Sequence, residues 1–193
     1  MSGARAEKDR LRRRLLTARR DRSPADHRAV ADSLAWHATS EPSVARARRV
    51  AAYLSMPTEP GTGPLLAALT GNGAEVLVPR VRPDGTLDWV ALDAGAPIRE
   101  GPLGVPEPDG PALEARALDH VDLVLVPALA VDHDGRRLGR GAGYYDRALT
   151  GVTALRCAIL FAAELLPEVP HEPHDQPVDL VLTEAGLFRP RSD

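Results

Sequence analysis

Residues 121–131 read VDLVLVPALAV, and Asp122 is the one charged residue in the run. A strand with one wet face alternates apolar and polar side chains. This run does not alternate, so as a strand it needs cover on both faces, the usual condition of a parallel sheet packed between helices. The flanking pattern agrees. RVAAYL (49–54), EVLVPRV (75–81), TLDWVAL (86–92), CAILF (157–161) and VDLVLT (178–183) read as further strands, and Asp84-Gly85 marks a hairpin turn between the second and third of these. Leu11, Leu15, Leu16 and Ala18 share one face of a helix over 6–20. Ser23-Pro24 starts another helix, with Asp26 three residues after the serine cap and Val30 and Leu34 on its apolar stripe. A third helix runs from Pro64 to Leu69 and stops at Gly71. Alternating strands and helices predict an α/β fold: a single domain over 1–193 with a mostly parallel central sheet flanked by helices. The Pro-rich stretch GPLGVPEPDGPAL (101–113) reads as an irregular connection. Ligands of such sheets lie beyond the carboxyl ends of the strands, which places the loops after Leu54, Val131 and Leu182 near one another.

Charge and composition exclude several classes. The formal net charge is −3, which gives no electrostatic footprint for nucleic acid or an anionic membrane. Two Trp, three Tyr and two Phe are too few for a base-stacking platform. No apolar run approaches the roughly 20 residues of a membrane span. Cys157 is the lone cysteine and has no partner for an internal disulfide, which fits a reducing compartment. The charged start MSGARAEKDRLRRRLL lacks the apolar core of a secretion signal, so a cytoplasmic protein, acting as a monomer, is expected. Every basic residue except Lys8 is Arg. A lysine kept against that bias hints that a compact ammonium is needed there.

The segment DHDGRRLGRGAGYYDRAL (132–149) carries the most chemistry. Gly139, Gly141 and Gly143 alternate ahead of a helix expected near Tyr144. Alternating glycines let backbone N–H groups approach an anion, and a helix start adds its positive dipole end. Arg136, Arg137 and Arg140 crowd the same loop, and guanidinium suits phosphate oxygens. Asp146, in the helix, suits a hard cation held against phosphates. The loop is neither a Walker loop, lacking Gly-Lys-Ser/Thr, nor the dinucleotide fingerprint, since Tyr144 stands at its last position. Read on its own, it is also compatible with a glycine-rich turn bearing surface arginines.

LVLVPALAVDHDGRRLGRGAGYYDRAL resembles the signature of the 5-formyltetrahydrofolate cyclo-ligase family. The resemblance runs along most of the chain: Lys8 to Arg12, VAAYLSMPTE (50–59), VLVPRV (76–81), LGVPEP (103–108) and QPVDLVLTE (176–184) fall in the family's order and spacing. It implies ATP- and Mg²⁺-dependent closure of 5-formyltetrahydrofolate to 5,10-methenyltetrahydrofolate with release of ADP and phosphate. The partners are then ATP and a small-molecule folate, with no nucleic acid and no membrane.

Residue by residue, the resemblance implies ATP contacts from Lys8, Asp9, Arg10, Leu11 and Arg12 and from Arg137, Leu138, Gly139, Arg140, Gly141, Ala142, Gly143, Tyr144 and Tyr145. It implies folate contacts from Arg12, Leu54, Met56, Glu59, Arg140 and Tyr144, with Glu59 on the pterin's donor edge. Arg140 and Tyr144 are the implied catalytic residues, and Asp146 and Asp179 the implied magnesium ligands. Ala142 is a departure, because relatives often carry Gly or Lys there, and without a Lys one phosphate contact is missing. Apart from the resemblance, Lys8 and Arg12 also read as a solvated basic helix, Glu59 as a surface residue of a Pro-Gly loop, and Asp179 as a strand-initial residue capping a turn. His171 and His174 read as loop residues, since no third and fourth ligands are spaced to complete a zinc site, and Cys157 as a small core side chain. Two other classes stay open. One is a related ATP-using ligase or phosphotransferase acting on another formyl or amide compound, which Glu59 and its apolar neighbours would discriminate. The other is a non-enzymatic nucleotide-binding regulator, against which the two aspartates speak.

Overall fold

The computed structural model describes residues 3–93, 95–113 and 116–191. Helices α1 (Gly3–Arg20), α2 (Pro24–Ser40) and α3 (Pro42–Ala45) come first, followed by strand β1 (Arg49–Ala51), helix α4 (Gly63–Gly71) and the hairpin β2 (Glu75–Val81) and β3 (Leu87–Ala91). Strands β4 (Ile98–Glu100), β5 (Pro106–Pro108), β6 (Leu123–Pro127), β7 (Ala130–Asp132) and β8 (Arg137–Leu138) lead to helix α5 (Tyr144–Ala148). Strands β9 (Leu155–Ile159), β10 (Leu165–Leu166), β11 (Leu180–Thr183) and β12 (Gly186–Phe188) complete the order.

The main sheet runs β12-β11-β9-β6-β1-β2-β3. Its inner strands pair in parallel, and β3 and β12 close the two edges antiparallel. One face packs α2 and α4 through Leu34, Leu65 and Leu69 onto Val50, Val78, Leu125 and Ile159. The other face, with Trp89, Val124 and Val126, is covered by Leu118, Leu149 and Val152. Each fully buried Leu or Val of this kind contributes about 1.5–3 kcal/mol of transfer free energy. The mostly parallel, helix-flanked sheet is the α/β class expected from the sequence.

Local signals hold where they are chemical. Ser23 and Asp26 form a reciprocal capping box at the start of α2. Gly85, with φ +78°, makes the turn between β2 and β3. Three expectations change. Residues 121–131 are two strands in two sheets, because Pro127 has no N–H to continue the ladder and the Leu129 N–H goes instead to the Leu138 carbonyl, 2.7 Å away. The Pro-rich stretch holds a turn at Pro102–Gly104 and strand β5, which pairs antiparallel with β4 just ahead of it. Glu107 anchors it, its Oε1 accepting the Val81 N–H at 2.7 Å. The loop after Leu182 does not join the others. It turns directly into β12, and Glu184 accepts the Ala162 N–H there.

Helix α1 lies on a small second sheet, β10-β7-β8. Leu11, Leu15 and Leu16 pack on Leu129, Leu138 and Val169. Arg19, 1% exposed, makes a fork-on-fork pair with Glu164, Nε to Oε1 and Nη2 to Oε2 both at 2.7 Å, and Nη2 also donates to the Ala128 carbonyl at 2.6 Å. The pair ties the end of α1 to the turn after β9, and the Ala128 bond ties it to the segment leaving β6. Among the described residues, no helix is long and apolar enough to cross a membrane.

Candidate active site

Strand β1 is followed on one side by β2 and on the other by β6, so the order reverses between β1 and β6. The crevice beyond their carboxyl ends is where open α/β sheets bind ligands. A cavity of about 750 Å³ opens there, within the range of sites that bury small molecules. The loop after β1, the glycine-rich loop between β8 and α5, the cavity-facing side of α1 and the loop at 172–175 line it, together with the β2–β3 hairpin and the turn ahead of β5.

The walls differ in character. Leu54, Met56, Pro79, Val81, Leu87 and Val105 form an apolar side, suited to a flat ring. The opposite side is cationic and tightly bonded. Arg137 Nη2 lies 2.5 Å from Asp146 Oδ1. Arg12 Nε donates to the Gly139 carbonyl at 3.0 Å, and its Nη1 to Asp9 at 2.6 Å. Lys8 Nζ meets Glu172 Oε2 at 2.9 Å and Asp175 Oδ2 at 2.5 Å, with the lysine side chain 4% exposed. Gly141 and Gly143, with φ of +101° and +70°, bend the loop so that its backbone lines the cavity ahead of Tyr144. A side chain at either position would be strained by the backbone itself. The cationic and apolar walls meet at Glu59. Its Oε2 accepts the Met56 N–H at 2.9 Å, and its Oε1 accepts Arg140 Nε at 3.0 Å.

Among the described residues, two buried polar groups of the wall, Arg137 Nε and the Tyr145 hydroxyl, have no hydrogen-bond partner. Burial pushes the Tyr145 phenol well above its ordinary range, so it stays protonated at neutral pH. The Lys8 hydrogen bond holds the Glu172 carboxyl below its usual range. Burial opposes the same effect at Asp175, but Lys8 and the Glu172 amide together outweigh it. Cys157, on β9, points into the core, its thiol pushed up to about 12 by burial, and does not line the cavity.

Most residues singled out in the sequence line this cavity: Lys8, Asp9 and Arg12, Leu54, Met56 and Glu59, and Arg137 through Asp146. Three do not. Arg10 is exposed, and Leu11 packs into the cluster under α1, because the helical period turns both away from the Lys8–Arg12 face. Asp179 is the larger correction. Its Oδ2 accepts the Arg156 N–H at 2.8 Å, at the amino end of β11. The pentapeptide VDLVL occurs twice, at 121–125 and 178–182. Asp122 does the same job in the first copy, accepting the Arg48 and Arg49 N–H groups at 2.7 and 2.9 Å. The aspartate of this motif caps a neighbouring strand. Asp175, four residues earlier, is the carboxylate that lines the cavity, with Glu172 and His174 beside it. The signal for it was the loop-forming HEPHDQP context, against the strand-initial context of Asp179.

The carboxylates present fit a small hard cation. Asp146 and Asp175 share the cavity, and Asp146 Oδ1 also accepts the Gln176 N–H at 3.3 Å, which brings the two loops together. Among the described residues no three acidic, His or Cys side chains gather into a metal-holding group. A pair of carboxylates suits Mg²⁺, which takes one or two and fills the rest of its shell with water and phosphate oxygens.

Residues 4–184 match the model of the 5-formyltetrahydrofolate cyclo-ligase family. The chain is 40% identical over 184 residues to the 5-formyltetrahydrofolate cyclo-ligase of Mycolicibacterium smegmatis, covering 91% of this chain and 93% of that protein. It is 29% identical to the 5-formyltetrahydrofolate cyclo-ligase of Escherichia coli strain K12, covering 93% and 98%. The solved structure of 5,10-methenyltetrahydrofolate synthetase from Aquifex aeolicus superposes with a TM-score of 0.82 at 28% identity, over 96% of this chain and 94% of that one.

Proposed function

The chain belongs to the 5-formyltetrahydrofolate cyclo-ligase family, and from that premise we propose that it closes 5-formyltetrahydrofolate to 5,10-methenyltetrahydrofolate, converting ATP to ADP and phosphate. The observation that carries this reading is the Arg140–Glu59 pair at 3.0 Å, because it joins the glycine-rich loop to a carboxylate beside the apolar wall of the cavity.

The chemistry needs positioning more than covalent help. A formamide carbon is a poor electrophile. Transfer of the terminal phosphoryl group to the formyl oxygen, with ADP leaving, makes that oxygen a leaving group. The second folate nitrogen attacks the same carbon, phosphate departs with the former formyl oxygen, and the nitrogen's proton is released. Both nitrogens belong to one molecule, so the ring closure is intramolecular and gains from proximity. The charge to be stabilised sits on phosphoryl oxygens. Arg137, Arg140, Arg12 and Lys8 surround that position, and the backbone N–H groups of the glycine-rich loop add neutral donors. Tyr144 and Arg140 stand between nucleotide and folate. Glu59 accepts from the pterin edge, with Leu54 and Met56 against the ring. Mg²⁺, held by Asp146 and Asp175, would neutralise phosphate charge during transfer.

The test is purified protein with ATP, Mg²⁺ and 5-formyltetrahydrofolate, followed by near-ultraviolet absorbance of the methenyl product. Folded protein that binds ATP but gives no absorbance change would refute the proposal and favour a ligase or phosphotransferase acting on another formyl or amide compound.

A further inference from the structure

Lys8 is the single lysine of the chain, and it is held unlike the other cations of the cavity. Arg12, Arg137 and Arg140 each face one carboxylate, whereas Lys8 faces two, Glu172 and Asp175. Two of its three ammonium donors are therefore taken, and one positive charge sits between two negative ones. The carboxylates form a unit, because Asp175 Oδ2 also accepts the Glu172 N–H at 2.7 Å. A triphosphate brought to Lys8 meets this local surplus of negative charge at close range. The loop also has room to yield. Glu172 and Asp175 line a second cavity of about 250 Å³ as well as the first, so they form a wall between two spaces.

We propose that Glu172 is a positioning residue: with Asp175 it withholds Lys8 from phosphate until a divalent cation draws the carboxylates away, and so makes nucleotide binding depend on that cation. This rests on the reading above that Lys8 contacts phosphate. Glu172 has no part in that reading as a ligand of either substrate.

A lone lysine permits a direct test. An amine-reactive reagent is applied and the mass of the Lys8 peptide is followed. In EDTA the wild type labels slowly, Mg²⁺ alone accelerates labelling several-fold, and Glu172→Gln labels fast without metal. Asp175→Asn, the second variant, also labels fast in EDTA and keeps the test open if Glu172→Gln fails to fold. Calorimetry then gives the Kd for ATP in EDTA and in Mg²⁺. Glu172→Gln tightens metal-free ATP about tenfold, equivalent to about 1.4 kcal/mol, and the ratio of the two Kd values shrinks by the same factor. A folded variant with an unchanged ratio, or Lys8 labelling indifferent to both Mg²⁺ and the substitutions, overturns the role of Glu172. A wild type that binds no ATP under either condition refutes the nucleotide reading instead.

Discussion

Arg19→Met tests how α1 is held over the site. Arg19 and Glu164 are 1% and 5% exposed at the side chain. Removing the guanidinium leaves a buried carboxylate with only the Phe161 N–H, at 3.1 Å, as a donor, and leaves the Ala128 carbonyl without its 2.6 Å bond. Breaking a buried pair from one side costs about 3–5 kcal/mol, much of it the unpaired charge. At ~2–4 °C per kcal/mol for a chain of this size, the melting temperature falls by roughly 6–20 °C. Thermal unfolding of Arg19→Met, Glu164→Gln and the double variant forms a double-mutant cycle. The double variant recovers much of the loss, because no charge is then stranded. ATP affinity of Arg19→Met falls as well, since Lys8 and Arg12 ride on the same helix. A cost under about 1 kcal/mol for Arg19→Met, or strict additivity in the cycle, would refute the reasoning.

Asp146→Asn keeps an acceptor for Arg137 but removes the charge, so turnover falls by about 100-fold or more while the melting temperature moves by only a few degrees; kinetics and unfolding on the same sample check this. Asp179→Ala loses the Arg156 cap and about 0.5–1.5 kcal/mol of stability but keeps wild-type turnover, whereas Asp175→Asn loses turnover. The reverse pattern would restore Asp179 to the site. Lys8 holds the carboxyls of Glu172 and Asp175 below their unfolded values. Their contribution to stability is therefore present above about pH 4 and is lost as pH falls through the lower folded values. Melting temperatures across the acid limb should fall more steeply for wild type than for Lys8→Met.

Much of the site was legible because its chemistry is local. The alternation of Gly139, Gly141 and Gly143 before a helix start, the spacing of Lys8 and Arg12 on one helix face, and the Glu59 loop after a strand all survive folding, since each depends on neighbours within a few residues. The double-faced apolar run correctly implied a parallel sheet, but apolar patterning alone does not reveal that Pro127 ends one strand and that the next belongs to a different sheet. The two VDLVL copies are informative in hindsight: the strand register, not the residue type, assigns their aspartates to capping.

Local backbone preference and hydrophobic period were enough to determine the capping box of α2, the turn at Gly85 and the class of sheet, because those forces act within one or two turns of chain, whereas α4 runs through the expected stop at Gly71 to a cap at Asn72. Tertiary structure alone decided that Asp175 rather than Asp179 faces the cavity and that Lys8 meets Glu172, 164 residues away in sequence. A charge interacts with whatever the fold brings within a few ångströms of it, and that neighbour depends on strand order and helix docking, which no local window of sequence contains.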